Sequence, residues 1–180
     1  AGLAEAPASP AALVDAVRAD RPSASAAAAP LPEALAVLDA ALALRGASLV
    51  VYRARTLVEF KTERLAQRVT AYEESGHRSW QIGAFDDHHC HLDLDAVTRA
   101  HFDAEPVSCQ GARLNWTVWF LGDKDCGNPY RPEAVCSVTL NRPHDERGVV
   151  DGVYALYDRV RERACVTASE VFLAARPETA

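Results

Sequence analysis

The side chains best suited to chemistry in this chain are the histidines and cysteine of residues 86–91, Asp-Asp-His-His-Cys-His. If residues 88–94 form a strand, their side chains alternate between two faces. His89 and His91 then share one face, and Leu92 marks the other face as the buried one. Two imidazoles at this spacing lie close enough to bind one transition-metal ion. The pattern therefore predicts a mononuclear metal site on His89 and His91.

A second interpretation of this cluster is that its polar side chains are solvated on the outer face of an edge strand. The cluster matches no standard zinc motif, since the chain contains neither H-E-x-x-H nor a paired C-x-x-C. The residue types favour a metal site, while the spacing fits a ligand set and a solvated surface equally well.

His101 is a further candidate ligand on the next predicted strand, residues 97–104. It approaches the histidine cluster if this strand pairs with residues 88–94. The strand after it, residues 113–121, carries Trp116 and Trp119 on opposite faces, because strand side chains alternate with period two. Core packing on both faces is the simpler interpretation, and the alternative is that Trp119 lines a ligand cavity.

The loop of residues 125–132, Asp-Cys-Gly-Asn-Pro-Tyr-Arg-Pro, is the other candidate binding element. Its Gly-Asn-Pro sequence favours tight turns, Tyr130 offers a flat stacking surface, and Arg131 offers a bidentate donor for a carboxylate. Together they would clamp a small planar acidic ligand. The alternative is a rigid connection whose Tyr130 packs back on the sheet.

The five cysteines include no C-x-x-C pair, and an odd count leaves at least one unpaired within the chain. We expect all five to be free thiols in a cytoplasmic protein. Cys90 lies among the histidines and could act as a nucleophile or a soft metal ligand. Because its strand face is the leucine face, an inert buried thiol is the favoured interpretation.

Composition excludes several classes of protein. A net charge of −6 disfavours nucleic-acid binding and attachment to an anionic membrane, since both need a basic surface. No apolar run approaches the roughly 20 residues that span a bilayer. The 180 residues suit one domain, and the chain carries no Walker loop and no G-x-S-x-G elbow.

The order of predicted elements indicates an α+β fold. Residues 1–31 are rich in Ala and Pro and predict a flexible lead-in with one short helix at 11–19, followed by a single domain over residues 32–180. Helices are predicted at 32–45, at 148–163 and from Thr167, with Glu170 closing a capping box. Strands fill the middle of the chain, so we expect a mainly antiparallel sheet with the terminal helices packed on one side.

Residues 90–100, Cys-His-Leu-Asp-Leu-Asp-Ala-Val-Thr-Arg-Ala, resemble the strand–turn–strand entry of haem-utilisation proteins of the HemS/ChuX type. The likeness in order and pattern extends over about residues 48–163. It implies a cytoplasmic carrier, store or degrading factor for haem, with homodimerisation. The residues expected to hold haem are His89, His91, His101, Trp119, Tyr130 and Arg131.

Two other functions compete with haem handling. One is a metalloenzyme built on His89 and His91, and the other is a non-catalytic interaction domain in which the histidines are surface residues. The residues do not decide whether the protein is an enzyme. Elemental analysis and a haemin absorbance titration would separate the three.

Overall fold

The computed structural model describes residues 33–53, 56–65, 69–74, 77–84, 86–93, 96–106, 114–140 and 147–176. The predicted lead-in of residues 1–31, with its short helix, lies outside these ranges. The mixture of helices and strands confirms the α+β class. The elements are α1 (Glu33–Leu42), β1 (Ser48–Arg53), β2 (Thr56–Lys61), a 3-10 turn (Thr62–Arg64), β3 (Val69–Glu74), β4 (His77–Gly83), β5 (His89–Asp93), β6 (Arg99–Pro106), β7 (Leu114–Leu121), β8 (Ala134–Leu140), α2 (Arg147–Val160), β9 (Val166–Ala168) and α3 (Glu170–Ala174).

The strands form two sheets. Six of them pair in the order β2-β1-β8-β7-β6-β9, and the other three pair in the order β3-β4-β5. Every pairing is antiparallel except that of β6 with the short β9. The expected approach of His101 to the histidine cluster is wrong, because β5 pairs with β4 while β6 pairs with β7 and β9.

Helix α1 corresponds to the predicted helix at 32–45 and is buried on nearly all sides. Its apolar side chains, including Leu35, Leu38 and Leu42, are almost fully removed from water. The helix packs on β6, β7 and β8 and also contacts α2. Glu33 and Asp39 are its two polar residues, and the rest of its surface is apolar, which suits a helix that lies inside a core.

The core fills the side of the six-stranded sheet that faces the helices. Phe102, Val118 and Phe120 point into it from β6 and β7, and Trp80 and Leu92 of the three-stranded sheet join the same core. Side chains on strands alternate, so the residues between these on β6 and β7 point to the opposite face. The described helices therefore cover one face of the six-stranded sheet, and the remaining strand side chains lie on the opposite face.

A hydrogen-bond relay fastens the C-terminal elements to this core. The indole Nε1 of Trp116 donates to the Tyr154 hydroxyl at 3.3 Å, and that hydroxyl donates to the Phe172 carbonyl at 3.2 Å. Trp116 is thus a core residue, as its strand position predicts.

The predicted capping box at the last helix is wrong. Thr167 lies in β9, and the N-cap of α3 is Ser169, whose hydroxyl accepts a hydrogen bond from the Phe172 N–H at 3.1 Å. Strand pairing with β6 captures Thr167 and moves the helix start by two residues.

None of the helices in the described part of the chain is long and apolar enough to cross a membrane.

Candidate functional site

The face of the six-stranded sheet opposite the helices carries a concentration of polar side chains. Along β7 this face presents Thr117 and Trp119, which alternate with the core residue Val118. The antiparallel register places Asp103 opposite Thr117 and His101 opposite Trp119. We call this surface the polar face.

A groove of about 160 Å³ runs across the polar face. Its lining combines apolar and aromatic side chains with hydroxyl, amide and carboxyl groups. The residues that line it are Val50, Tyr52, Leu57, Glu59, Glu105, Asn115, Thr117, Trp119 and Thr139. The hydroxyl oxygens of Thr117 and Thr139 lie 3.2 Å apart, and the Ser137 hydroxyl oxygen lies 3.4 Å from that of Thr139.

Among the described residues, the charged side chains that line the groove are those of Glu59 and Glu105. Lys61 donates to Glu59 at 2.8 Å and compensates its charge. Glu105 instead lies beside Asp103, another acid. Burial, and then the nearby Asp103 carboxylate, raise the pKa of Glu105. The groove is therefore acidic at its Glu105 end.

Tyr52 links the two ends of the groove. Its ring stacks on Trp119 with centroids 6.1 Å apart, and its hydroxyl is hydrogen-bonded with Ser137. Burial raises the pKa of Tyr52, and the Glu59 and Glu105 carboxylates push it in the same direction. Both glutamates therefore act on one phenol, as they would act on a ligand beside it.

The loop between β7 and β8 holds Arg131 over the edge of the groove. The buried Asn128 side chain accepts hydrogen bonds from the backbone N–H groups of Tyr130 at 2.9 Å and Arg131 at 3.3 Å. The Arg131 guanidinium lies 5.1 Å above the Trp119 ring and 3.7 Å from Asp103. The loop is therefore a rigid support that fixes a cation on the polar face.

Tyr130 contacts the sheet with one edge of its ring. The residue is 77% exposed, and its ring meets that of Tyr52 on β1 edge-on at 6.2 Å. Tyr130 therefore keeps an exposed ring face while it packs against the sheet.

Two nitrogen donors on the polar face are buried and lack an acceptor among the described residues. They are Nε1 of Trp119 and Nη1 of Arg131. A buried donor without a partner costs about 1–3 kcal/mol. Such atoms are unusual in folded proteins and often mark the place of a group that binds there.

His101 lies at the side of the polar face next to β9. Its Nδ1 atom is 2.7 Å from the Thr167 hydroxyl. Burial, and then the positive charge of Arg131, lower the pKa of His101. The imidazole is therefore neutral at pH 7, with Nε2 as the nitrogen left for a ligand.

His89 and His91 lie on β5, away from the groove. Their rings are 5.3 Å apart on the outer face, and Cys90 and Leu92 face the core, as the predicted alternation requires. Within the described ranges, no group of three His, Cys, Asp or Glu side chains is placed to hold a metal ion. The two histidines, of which His91 is exposed and His89 half-buried, thus form a pair on a different sheet from His101.

Cys90 is half-buried against the core, and burial raises its pKa to about 11. The thiol is therefore protonated at neutral pH, which disfavours the nucleophile and metal-ligand interpretations. The four described cysteines, Cys90, Cys126, Cys136 and Cys165, are free thiols.

We expect all five cysteines to react with a thiol reagent in denatured protein that has never been reduced. In the native protein Cys136 should stay unreactive, because it is fully buried and burial raises its pKa. Counting reactive thiols before and after denaturation tests both statements. A count below five in the denatured protein, restored by a reductant, would reveal a disulfide and contradict the prediction.

The structure divides the six predicted haem residues into two groups. His101, Trp119, Tyr130 and Arg131 come together around the polar face, while His89 and His91 do not. Sequence reasoning missed Tyr52, Glu59 and Glu105. The alternation of Arg99, His101, Asp103 and Glu105 was a signal for the β6 part of the site, since it predicts one polar face on that strand.

No protein-family model matches this chain, and no curated protein matches it either. Its function is therefore inferred from the geometry of the polar face.

Proposed function

We propose that the protein binds a small amine-bearing ligand in the groove of the polar face. The observation that carries this proposal is that two glutamates and two aromatic side chains line one groove. An ammonium group is attracted both by carboxylates and by aromatic faces, the latter worth about 0.5–2 kcal/mol. Of the four side chains, Glu105 and Tyr52 are the principal contacts for the amine.

The balance of charges explains why the amine belongs at Glu105. Glu59 has Lys61 at 2.8 Å, and Asp103 has Arg131 at 3.7 Å. Glu105 lies beside the Asp103 carboxylate, and Arg131 offsets this only in part, since the pKa of Glu105 remains raised. A cation beside Glu105 would supply the missing charge and allow the carboxyl group to ionise.

The shape of the groove limits the rest of the ligand. A volume of about 160 Å³ admits a short chain or one small ring, and it lies below the roughly 300–1,000 Å³ of pockets for drug-sized molecules. Val50 and Leu57 provide apolar contact for the carbon skeleton, while Thr117 and Thr139 provide hydroxyls.

Haem does not fit within this groove. It is much larger than the volume given above, and its two propionates would meet Glu59 and Glu105. The second candidate function is haem binding at the side of the polar face, favoured by one observation. His101 is neutral, hydrogen-bonded to Thr167 and close to Arg131, and a neutral imidazole held by a second group is the form that ligates iron.

Hexylamine, hexanol and hexanoate share a six-carbon skeleton and test the proposal by calorimetric titration. We expect hexylamine to bind about ten-fold or more tightly than hexanol, as one charge-assisted hydrogen bond provides. Hexanoate should be the weakest, because its charge is repelled by the glutamates. The Nε1–H resonance of Trp119, assigned with Trp119→Phe, should shift in NMR spectra and place the amine in the groove.

Equal affinity for hexylamine and hexanol would disprove the amine site. A haemin titration followed by absorbance decides the second candidate. Saturable binding of one haemin that is lost in His101→Ala, together with no preference for hexylamine, would make haem binding the function of this face.

A further inference from the structure

The amine site leaves the two unpartnered donors of the polar face unexplained. Trp119 is only 6% exposed and lines the groove, yet its Nε1 lacks an acceptor. Nη1 of Arg131 also lacks an acceptor, and the guanidinium group of this residue lies over the Trp119 ring. Both donors are removed from water, so a carboxylate oxygen that reaches them after a rotation of the Arg131 side chain would gain hydrogen bonds without displacing water from them.

We infer that the ligand is a zwitterion, whose carboxylate is bound by Arg131 and Trp119 and whose amine is bound by Glu105. This inference rests on the proposed amine site and names the ligand class for it. Arginine is suited to the carboxylate because its planar fork matches two oxygens. The side chain is partly exposed at the edge of the groove, so it is within reach of a ligand there.

The spacing of the two ends sets the reach that the ligand needs. Arg131 faces Asp103, and Glu105 lies two residues further along β6, which is about 7 Å in a strand. A hydrogen bond of about 2.8 Å at each end covers most of this distance. An α-amino acid and a short ω-amino acid therefore both reach the two ends.

The charges of the site also explain why one end alone binds less well. A carboxylate by itself brings a negative charge close to Glu105, while Glu59 and Asp103 are already paired with Lys61 and Arg131. A zwitterion brings its own cation to Glu105 and leaves the total charge of the site unchanged. The expected order of affinity is therefore zwitterion, then amine, then carboxylate.

The test compares ε-aminohexanoate, α-aminohexanoate and hexylamine by calorimetric titration of the whole protein. We expect the tighter-binding of the two amino acids to bind about ten-fold more tightly than hexylamine, because its carboxylate adds charge-assisted hydrogen bonds. The two amino acids have the same atoms, so their ranking reveals the charge separation that the site prefers.

Two variants assign the extra affinity to the named donors. Arg131→Ala should abolish the preference of the tighter-binding amino acid over hexylamine. Trp119→Phe keeps an aromatic ring but removes Nε1, and it should reduce the preference in part.

The inference is overturned if neither amino acid binds better than hexylamine, or if the preference persists in Arg131→Ala. In each case hexylamine binding still stands as evidence for the amine site, whereas failure of hexylamine to bind better than hexanol removes the proposed function itself.

Discussion

Replacing Glu105 by glutamine is expected to weaken hexylamine binding about ten- to hundred-fold, the value of a hydrogen bond to a charged group. The variant removes the carboxylate that faces Asp103 and keeps the shape of the side chain. The free energy of unfolding at neutral pH should rise in the same variant, because the fold disfavours the ionised form of Glu105. Calorimetric titration and urea denaturation measure the two effects.

The pH dependence separates this explanation from a general loss of structure. Burial and Asp103 raise the pKa of Glu105, so the parent loses stability as pH rises from the ordinary glutamate pKa through the raised value. At lower pH the carboxyl group is protonated in both folded and unfolded chains, and parent and Glu105→Gln should converge.

Ligand affinity should follow the opposite course in the parent. Hexylamine binding strengthens as pH rises through the pKa of Glu105, since the carboxylate is the binding form, and the dependence should be much weaker in Glu105→Gln. The other titratable groups at the Glu105 end of the groove are Asp103, Glu59, Tyr52, His101 and Arg131, and the variant keeps all of them.

Glu162→Gln is the matched control, because it removes the same charge from an exposed turn outside the groove. It should change neither the affinity for hexylamine nor the pH profile of that affinity. If both variants behave alike, Glu105 is not the amine contact.

Replacing Phe172 by alanine is expected to lower the free energy of unfolding by about 3–5 kcal/mol, as for other large buried aromatic residues. Phe172 is fully buried, and its ring lies 4.8 Å from Tyr154, 5.3 Å from Tyr157 and 5.6 Å from Phe102. These contacts join α3 to α2 and to β6. The five-residue α3 has too few hydrogen bonds to form alone, so it depends on this one side chain.

Leu173→Ala is the matched control for Phe172, because it shortens an apolar side chain on the same helix. Leu173 is 48% exposed, and a surface substitution of this kind changes stability by about 0.5 kcal/mol or less. Denaturant unfolding monitored by circular dichroism measures both variants. Equal midpoints for the two would show that α3 does not anchor the C-terminal end of the fold.

The two predictions are connected through β6. Phe102 points into the core against Phe172, while Asp103 next to it points to the polar face. Phe172→Ala should therefore also weaken hexylamine binding, although Phe172 does not line the groove. The geometry of the amine site depends on the packing of the core behind β6.

Local sequence patterns were sufficient where the physical cause is local. The alternation of Trp116, Val118 and Phe120 with Thr117 and Trp119 predicts β7 and the faces of both tryptophans, because period two is a property of one strand. The same reasoning places His89 and His91 on the outer face of β5. The Gly and Asn residues of the β7–β8 loop predict a rigid turn, since they act on their own backbone.

The site itself is a product of pairing between distant strands. Glu59 of β2 and Glu105 of β6 line one groove because both strands belong to the same face of one sheet, in which β1, β8 and β7 lie between them. A local pattern reveals which face a residue occupies, and it leaves open which strand lies beside it. The expected meeting of His101 with His89 and His91 failed for this reason, since consecutive strands β5 and β6 belong to different sheets.

The sequence by itself therefore determined the α+β class, the polar and apolar faces of β5 and β7, and the rigid loop that carries Arg131. The tertiary structure decided that Arg131, Trp119, Tyr52 and Glu105 share one surface and that the histidine pair does not. The physical reason is that helix and strand patterns reflect interactions within a few residues. Strand neighbours are instead selected by burial of the whole core, which is a sum over contacts far apart in the chain.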